Sequence, residues 1–176
     1  MKNILDILSR KLCFILRHDF INKHLQCDEC GYVNVKDIFL KYSLPSISYQ
    51  ELELIISSND KKRFHLIIKQ DKEYYIRANQ GHSNSIGSLI KDELIFERIL
   101  NPLHFCAHST KQEYIYSILK NGLQKKNRKH IHFVSEINKY KTKSNVIIII
   151  DMKKCLEAEM MFFKSFNDVI FVLVLF

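Results

Sequence analysis

The spacing of apolar residues changes midway along this chain, and that change limits the folds open to it. Ile4, Leu5, Leu8, Leu12, Ile15 and Leu16 recur at helical spacing, forming one stripe that ends at Arg17-His18. Asp28 to Gly31 reads as a turn, and Tyr32, Val33 and Val35 as an extended piece entering a helix through about Tyr42. Ser48, with Glu51 three residues on, makes a capping box for a helix through Ile55 and Ile56. Phe64, Leu66 and Ile68 then alternate with other residues, Gln70-Asp71-Lys72 turns, and Tyr74-Tyr75-Ile76 returns as a second strand. Three helices followed by a two-stranded hairpin is the winged-helix pattern, a common scaffold for binding nucleic acid.

Beyond this the chain reads as short strands. Asn79 to Pro102 carries turn residues and one helical stretch around Leu94 to Leu100, and marks the boundary. Leu103 to His108 reads as a strand, and Thr110 as the cap of a helix through Leu119 that Gly122 stops. His130 to Val134 alternates. Val146 to Ile150 is a continuous β-branched run, which predicts a strand buried on both faces. Met160 to Phe163 and Val169 to Phe176 are two more strands. The expectation is an α+β protein with a first lobe over 1–85, a connector over 86–102 and a β-rich second lobe over 103–176.

A formal charge of +8 and a pI near 9.2 over 176 residues favour an anionic partner. Charges interrupt the first twenty residues, so they do not read as a secretory signal. The longest apolar runs fall far short of the ~20 residues that span a bilayer. A soluble, cytoplasmic monomer is expected. Among five cysteines only Cys27-Asp28-Glu29-Cys30 has suggestive spacing, with His24 upstream. A structural zinc site needs four ligands and no second close pair follows, so no metal is expected.

The residues able to carry chemistry are basic and imidazole side chains. Arginine offers phosphate a permanent charge and a planar fork of donors, and histidine can shuttle a proton near neutral pH. Arg17 and His18 end the first helix, where both cations would also complement its negative C-terminus. Arg63 follows Lys61-Lys62, and His82 lies in the polar loop Gln80-Gly81-His82-Ser83. His130 and His132 alternate on one strand face with Arg128 just upstream, and two core histidines are the competing reading there. His108 and Thr110 sit at a strand-to-helix transition, where backbone N–H groups can converge on an anion.

In chain order, these phrases resemble the RNA 2′-phosphotransferase family. The resemblance runs from about Ser9 to Val169. It takes in Leu16-Arg17-His18, Gly31-Tyr32-Val33, Asn59 to Phe64, Ile76 to Ser83, His108-Ser109-Thr110, Asn121-Gly122-Leu123, Arg128 to His132 and Phe163 to Val169. It implies a winged-helix RNA lobe followed by an NAD-binding lobe of the ADP-ribosyltransferase type. The catalytic Arg-His-Arg-Arg set falls on Arg17, His18, Arg63 and Arg128. The histidine-histidine-hydrophobic signature falls on His108, His132 and Val169. Further NAD contacts are implied for Ser109, Thr110, Gly122, Leu123, His130, Ser165 and Asn167, and RNA contacts for Lys62, Gln80, His82 and Ser83.

The implied reaction has two steps. An RNA 2′-phosphate displaces nicotinamide from NAD, giving an ADP-ribosylated RNA phosphate. The 2″-hydroxyl of that ribose then takes the phosphate, releasing 2′-OH RNA and ADP-ribose 1″,2″-cyclic phosphate. His18 would bind phosphate or transfer a proton. The chain departs from the family pattern at Ser109, where glycine is usual, and at Lys141, where an arginine is usual. Ser109 is expected to crowd NAD if the glycine permits close approach. Family members also continue past the position of Phe176, so an exposed edge strand is expected there. The alternatives are an ADP-ribosyltransferase acting on terminal phosphates of nucleic acid, and a non-catalytic winged-helix RNA-binding protein.

Overall fold

The computed structural model describes residues 2–58, 61–136 and 146–172, and divides them into two compact units, 1–95 and 96–176. The fold is mixed α and β, with several small sheets. Among the described residues, no helix is long and apolar enough to cross a membrane.

The first unit begins with helix α1, Lys2–Phe14. Its stripe is buried through Leu8, Leu12, Ile15 and Leu16, whereas Ile4 stays exposed. The helix does not stop at Arg17-His18 as a regular α-helix. It widens into a π-helical turn over Ile15–Asp19 and then tightens into a 3₁₀ turn, Phe20–Lys23. Strand β1, Val33–Asn34, follows. The Asn34 side chain accepts from the Lys36 and Asp37 N–H groups, and so starts helix α2, Val35–Lys41, one residue earlier than an extended Val35 would allow. Helix α3, Tyr49–Ser57, carries the expected capping box of Ser48 and Glu51.

Strands β2, Phe64–Ile68, and β3, Tyr74–Ala78, form the expected hairpin, in register from Phe64 opposite Ala78 to Ile68 opposite Tyr74. β1 adds antiparallel to the other edge of β3. Phe64, Ile76 and Ala78 face a core shared with Leu12, Phe20, Ile38 and Ile55. Two short helices close the unit: α4, Asn84–Gly87, and α5, Asp92–Ile95. Ile86 and Ile90 join this core, so the first part of the expected connector packs as part of the unit.

The turn before β1 depends on one carboxylate. Asp28 Oδ1 accepts from the N–H groups of Cys30 and Tyr32, each at 2.9 Å, and Oδ2 accepts from Lys69 Nζ at 2.7 Å. Burial pushes the Asp28 carboxyl up. The Lys69 ammonium and the two backbone donors outweigh it and hold the group below its ordinary value. The Cys-x-x-Cys segment is thus shaped by its aspartate, with Cys27 packed against the first core.

The second unit opens with strand β4, Glu97–Ile99, where helix was expected. Its residues pair with strand β8, Phe162–Lys164, a partner distant in sequence that no local pattern reveals. Strand β5 is Ala107–Thr110, so Thr110 ends a strand and caps no helix. A 3₁₀ turn, Gln112–Tyr114, leads into helix α6, Ile115–Asn121, which Gly122 ends with φ +72°. Strand β6 is Ile131–Phe133, β7 is Val146–Ile149, helix α7 is Met152–Glu157, and β9 is Ile170–Val172.

These strands form a four-stranded sheet in the order β4-β8-β9-β6 and a two-stranded sheet of β5 and β7. Phe133, Phe162, Ile170 and Val172 are buried together with Cys106 and Met152. The apolar run in β7 is not buried on both faces: Ile147 and Ile149 are 44 % and 69 % exposed. These two alternate along the strand and share one face, so it is that face of the run which is left exposed. Residues 173–176, in the expected last strand, and Lys141 lie outside the described residues.

Asp28→Ala removes the acceptor of two backbone donors and a partly buried ion pair, so it should lower stability by about 1–3 kcal/mol in urea unfolding. The wild-type carboxyl is depressed in the folded state. Its contribution is therefore present above the unfolded aspartate value of about 3.9 and is lost as pH falls through the folded one. The gap between wild type and Asp28→Ala should narrow as pH falls below about 3.9.

Candidate functional site

The phrase Asn79 to Ser83 is a clamp on two segments that carry arginine. At one end the Asn79 N–H donates to the Arg63 carbonyl at 2.8 Å, and its amide nitrogen donates to the carbonyls of Lys62 and Phe64 at 2.7 and 3.1 Å. At the other end the Ser83 N–H and Oγ both donate to the Arg17 carbonyl, at 2.9 and 3.2 Å. Between them Gly81 has φ +85°, and a Cβ built there would lie 3.3 Å from Arg17 Cζ. The bare α-carbon therefore lies against the guanidinium, in a conformation that suits glycine. Arg17 and Arg63 are anchored four residues apart on one loop.

Several residues singled out in the sequence have their positions explained here. Arg17 is half-buried and His18 exposed, on the π-helical turn, a kind of local widening that recurs at functional sites. His18 lies against the exposed ring of Phe14, with centroids 5.8 Å apart. Ser83 holds backbone, and His82 is buried at 4 % exposure. Gln80 is half-buried in the same loop, and Lys62 is exposed with φ +41°. Arg63 lines a polar cavity of about 320 Å³ with Arg10, Lys61, Ser9, Ser58 and Asp6. Sequence reading passed over Arg10, because a cation on an amphipathic helix ordinarily marks its wet face.

The second unit holds a cavity of about 410 Å³, within the range of ligand pockets. It gathers His108, Thr110, Gly122, Leu123, Arg128, His130 and His132, seven of the residues identified from sequence. Tyr114, Ser117, Ile118 and the segment Gln124 to Asn127 also line it. None of these carried a sequence signal, since each is an ordinary helix or loop residue until the fold turns it inward. His108 Nδ1 lies 2.9 Å from the His132 carbonyl. A carbonyl only accepts, so Nδ1 carries the proton, and Nε2 is the acceptor nitrogen of the neutral ring. His130 is 4 % exposed against Phe171 and Phe96, at centroid distances of 4.4 and 5.9 Å. It is therefore packed in the core as well as present at the cavity wall.

Ser109 does not line this cavity. It alternates with His108 and Thr110 along β5, so its side chain leaves by the opposite face. Its side chain therefore adds no bulk to this cavity. Ser165, Asn167 and Val169 lie elsewhere, in the β8–β9 turn. Ser165 Oγ donates to Asn167 Oδ1 at 2.8 Å, the Val169 N–H reaches Ser165 Oγ at 3.2 Å, and Asp168 takes φ +58°.

The cavity's donor set suits an anionic ligand. Arg128 supplies charge, Thr110 a hydroxyl, and the histidines donors or acceptors. Space is open where a Gly122 Cβ would point, with no atom within 4 Å, so ligand can approach that backbone.

Gly81→Ala should lower stability by about 1–2 kcal/mol in chemical denaturation, because an L-residue is strained at this φ and its methyl presses on Arg17.

The family model of the RNA 2'-phosphotransferase, Tpt1 / KptA family matches residues 3–173. A tRNA 2'-phosphotransferase 1 of Danio rerio is 30 % identical over 171 residues, covering 93 % of this chain and 76 % of that protein. A probable RNA 2'-phosphotransferase of Fusobacterium nucleatum is 31 % identical over 170 residues, covering 92 % and 89 %. The tRNA 2'-phosphotransferase of Saccharomyces cerevisiae is 27 % identical over 180 residues, covering 92 % and 76 %. With residues 3–173 matched by the family model and two relatives at 30 % identity or more covered over three quarters of their length or more, this chain belongs to the RNA 2'-phosphotransferase family.

Proposed function

We propose that this protein is an NAD-dependent RNA 2′-phosphotransferase. In this reading it moves an internal 2′-phosphate of RNA, tRNA among the candidates, onto the ADP-ribose part of NAD, leaving 2′-OH RNA, nicotinamide and ADP-ribose 1″,2″-cyclic phosphate. The observation that carries the reading is the second unit's cavity, which collects seven of the family-matched residues around one space. The first unit serves as a winged-helix RNA lobe and the second as an ADP-ribosyltransferase-like lobe. The enzyme acts as a cytoplasmic monomer.

NAD and the RNA phosphate are both anionic, so bringing them together requires fixed positive charge. At 4 Å two unit charges repel by about 4 kcal/mol at an effective dielectric of 20. Arg17, Arg63 and Arg128 are assigned to offset that repulsion and to stabilise the charge that grows on phosphorus during transfer. His18 holds the phosphate or moves a proton at its ring nitrogen. His108, Thr110, Leu123, His130 and His132 hold the dinucleotide, with Gly122 permitting close backbone approach. The Nδ1 proton of His108 is committed to the His132 carbonyl, which leaves Nε2 to receive a hydrogen bond from a ribose hydroxyl. Ser109, Ser165, Asn167 and Val169 support the backbone in this arrangement and make no NAD contact through their side chains. Gln80, His82 and Ser83 position Arg17, and Lys62 faces RNA.

Purified protein incubated with a 2′-phosphorylated oligonucleotide and NAD should release nicotinamide and ADP-ribose 1″,2″-cyclic phosphate. Absence of both products would reject the reading. Accumulation of ADP-ribosylated RNA as the final product would favour a transferase that stops after the first step. Arg63→Ala and Arg128→Ala should each lower turnover about 100-fold or more, the scale of losing one donor to transition-state charge. Near-normal turnover would remove that residue from the assignment.

A further inference from the structure

Among the described residues, Arg77 is the one lysine or arginine that is buried, at 7 % exposure. Its Nε and Nη1 are buried and meet no hydrogen-bond acceptor, and it forms no ion pair with a described carboxylate. Asp28, in the neighbouring turn, is already engaged by Lys69 and two backbone N–H groups. A guanidinium kept from water without a counter-charge is costly. A protein that keeps such a group has a use for its charge, or obtains compensating packing from it.

The surroundings favour a use. Phe64 and Leu66 of β2 and Ile76 and Ala78 of β3 face the core, so His65, Ile67, Tyr75 and Arg77 occupy the hairpin's other face. His65 stands directly opposite Arg77 in the register. The Tyr32 ring lies 5.2 Å from Arg77 Cζ, and its hydroxyl shares a 2.6 Å hydrogen bond with His65 Nδ1. Burial, and then the Arg77 charge, hold His65 below its ordinary value, so it adds no like charge at neutral pH. On the same face Lys69 Nζ sits 4.3 Å over the Tyr75 ring. Cations alternating with half-exposed aromatic rings are the pattern that tracks a single-stranded nucleic-acid backbone.

We propose that Arg77, framed by Tyr32 and His65, is a second phosphate-recognition site that takes a backbone phosphodiester of the RNA chain, separate from the phosphate that reacts. It rests on the reading of RNA as substrate. The site binds the chain beside the reacting nucleotide and contributes affinity rather than chemistry.

The test is fluorescence anisotropy with the full chain and a single-stranded RNA of about 12 nucleotides lacking a 2′-phosphate, across a salt series. Arg77→Gln should weaken binding about 10-fold and reduce the slope of log affinity against log salt by about one. His65→Glu places on the opposite strand the carboxylate that Arg77 lacks. It should raise Tm while weakening RNA binding by a similar factor. If Tm moves and affinity and salt slope do not, Arg77 is structural and the proposal is overturned. Should Arg77→Gln fail to fold, His65→Glu decides alone, since it leaves the guanidinium in place. Turnover of 2′-phosphorylated RNA separates the two readings. Unaltered RNA affinity in His65→Glu, with turnover by the unmodified protein, sinks this site alone, whereas absent turnover by the unmodified protein sinks the proposed function.

Discussion

The first unit depends on a short run of backbone hydrogen bonds, those by which Asn79 and Ser83 grip the carbonyls of Arg63 and Arg17. Each bond is made to the main chain of an arginine rather than to its guanidinium group. Side chains as long as arginine lose much rotamer freedom when they are fixed. Anchoring their backbones, and laying Gly81 flat against one of them, lowers what a ligand must order on arrival. The loop for which the family resemblance implies RNA contacts also supports the main chain of both arginines.

The same distinction explains which parts of the molecule the sequence revealed. The capping box at Ser48 and Glu51 was legible because both partners lie within one helical turn. So were the stripe of α1 and the register-forming alternation of β2 and β3, whose determinants are local periodicities. The strand at Glu97–Ile99 was not legible. Its partner Phe162–Lys164 lies more than sixty residues away, and three residues of mixed character carry no period. The exposed side of β7 was misread for a related reason. A β-branched run predicts a strand but not how many layers cover it, and β5 pairs with it in a two-stranded sheet.

The candidate site divides in a similar way. His108, Arg128, His130 and His132 were identified by family order, and the structure sets all four on one cavity. Ser165, Asn167 and Val169 came from the same kind of match, yet their hydrogen bonds close the β8–β9 turn. A family motif marks what must be present without separating ligand contacts from the turns that hold the fold. Ser109 shows the converse. It departs from the family's glycine, and the alternation of β5 places its side chain on the face away from this cavity.

Charge is a constraint common to both units. A protein that handles two anionic reactants gains by distributing its cations, since a single dense cluster would repel itself before ligand arrives. The described structure fits that economy. Arg17 and Arg63 are spaced by a clamp, Arg128 belongs to the second unit, and Arg77 is buried on the hairpin face turned away from the first core. Lys69 and Lys36, by contrast, are paired with Asp28 and Glu73 and serve the fold. Net charge alone cannot tell these groups apart. The useful question is which cations have been given an acid partner within the protein. Arg77, buried without one, is the cation for which an external anion accounts best.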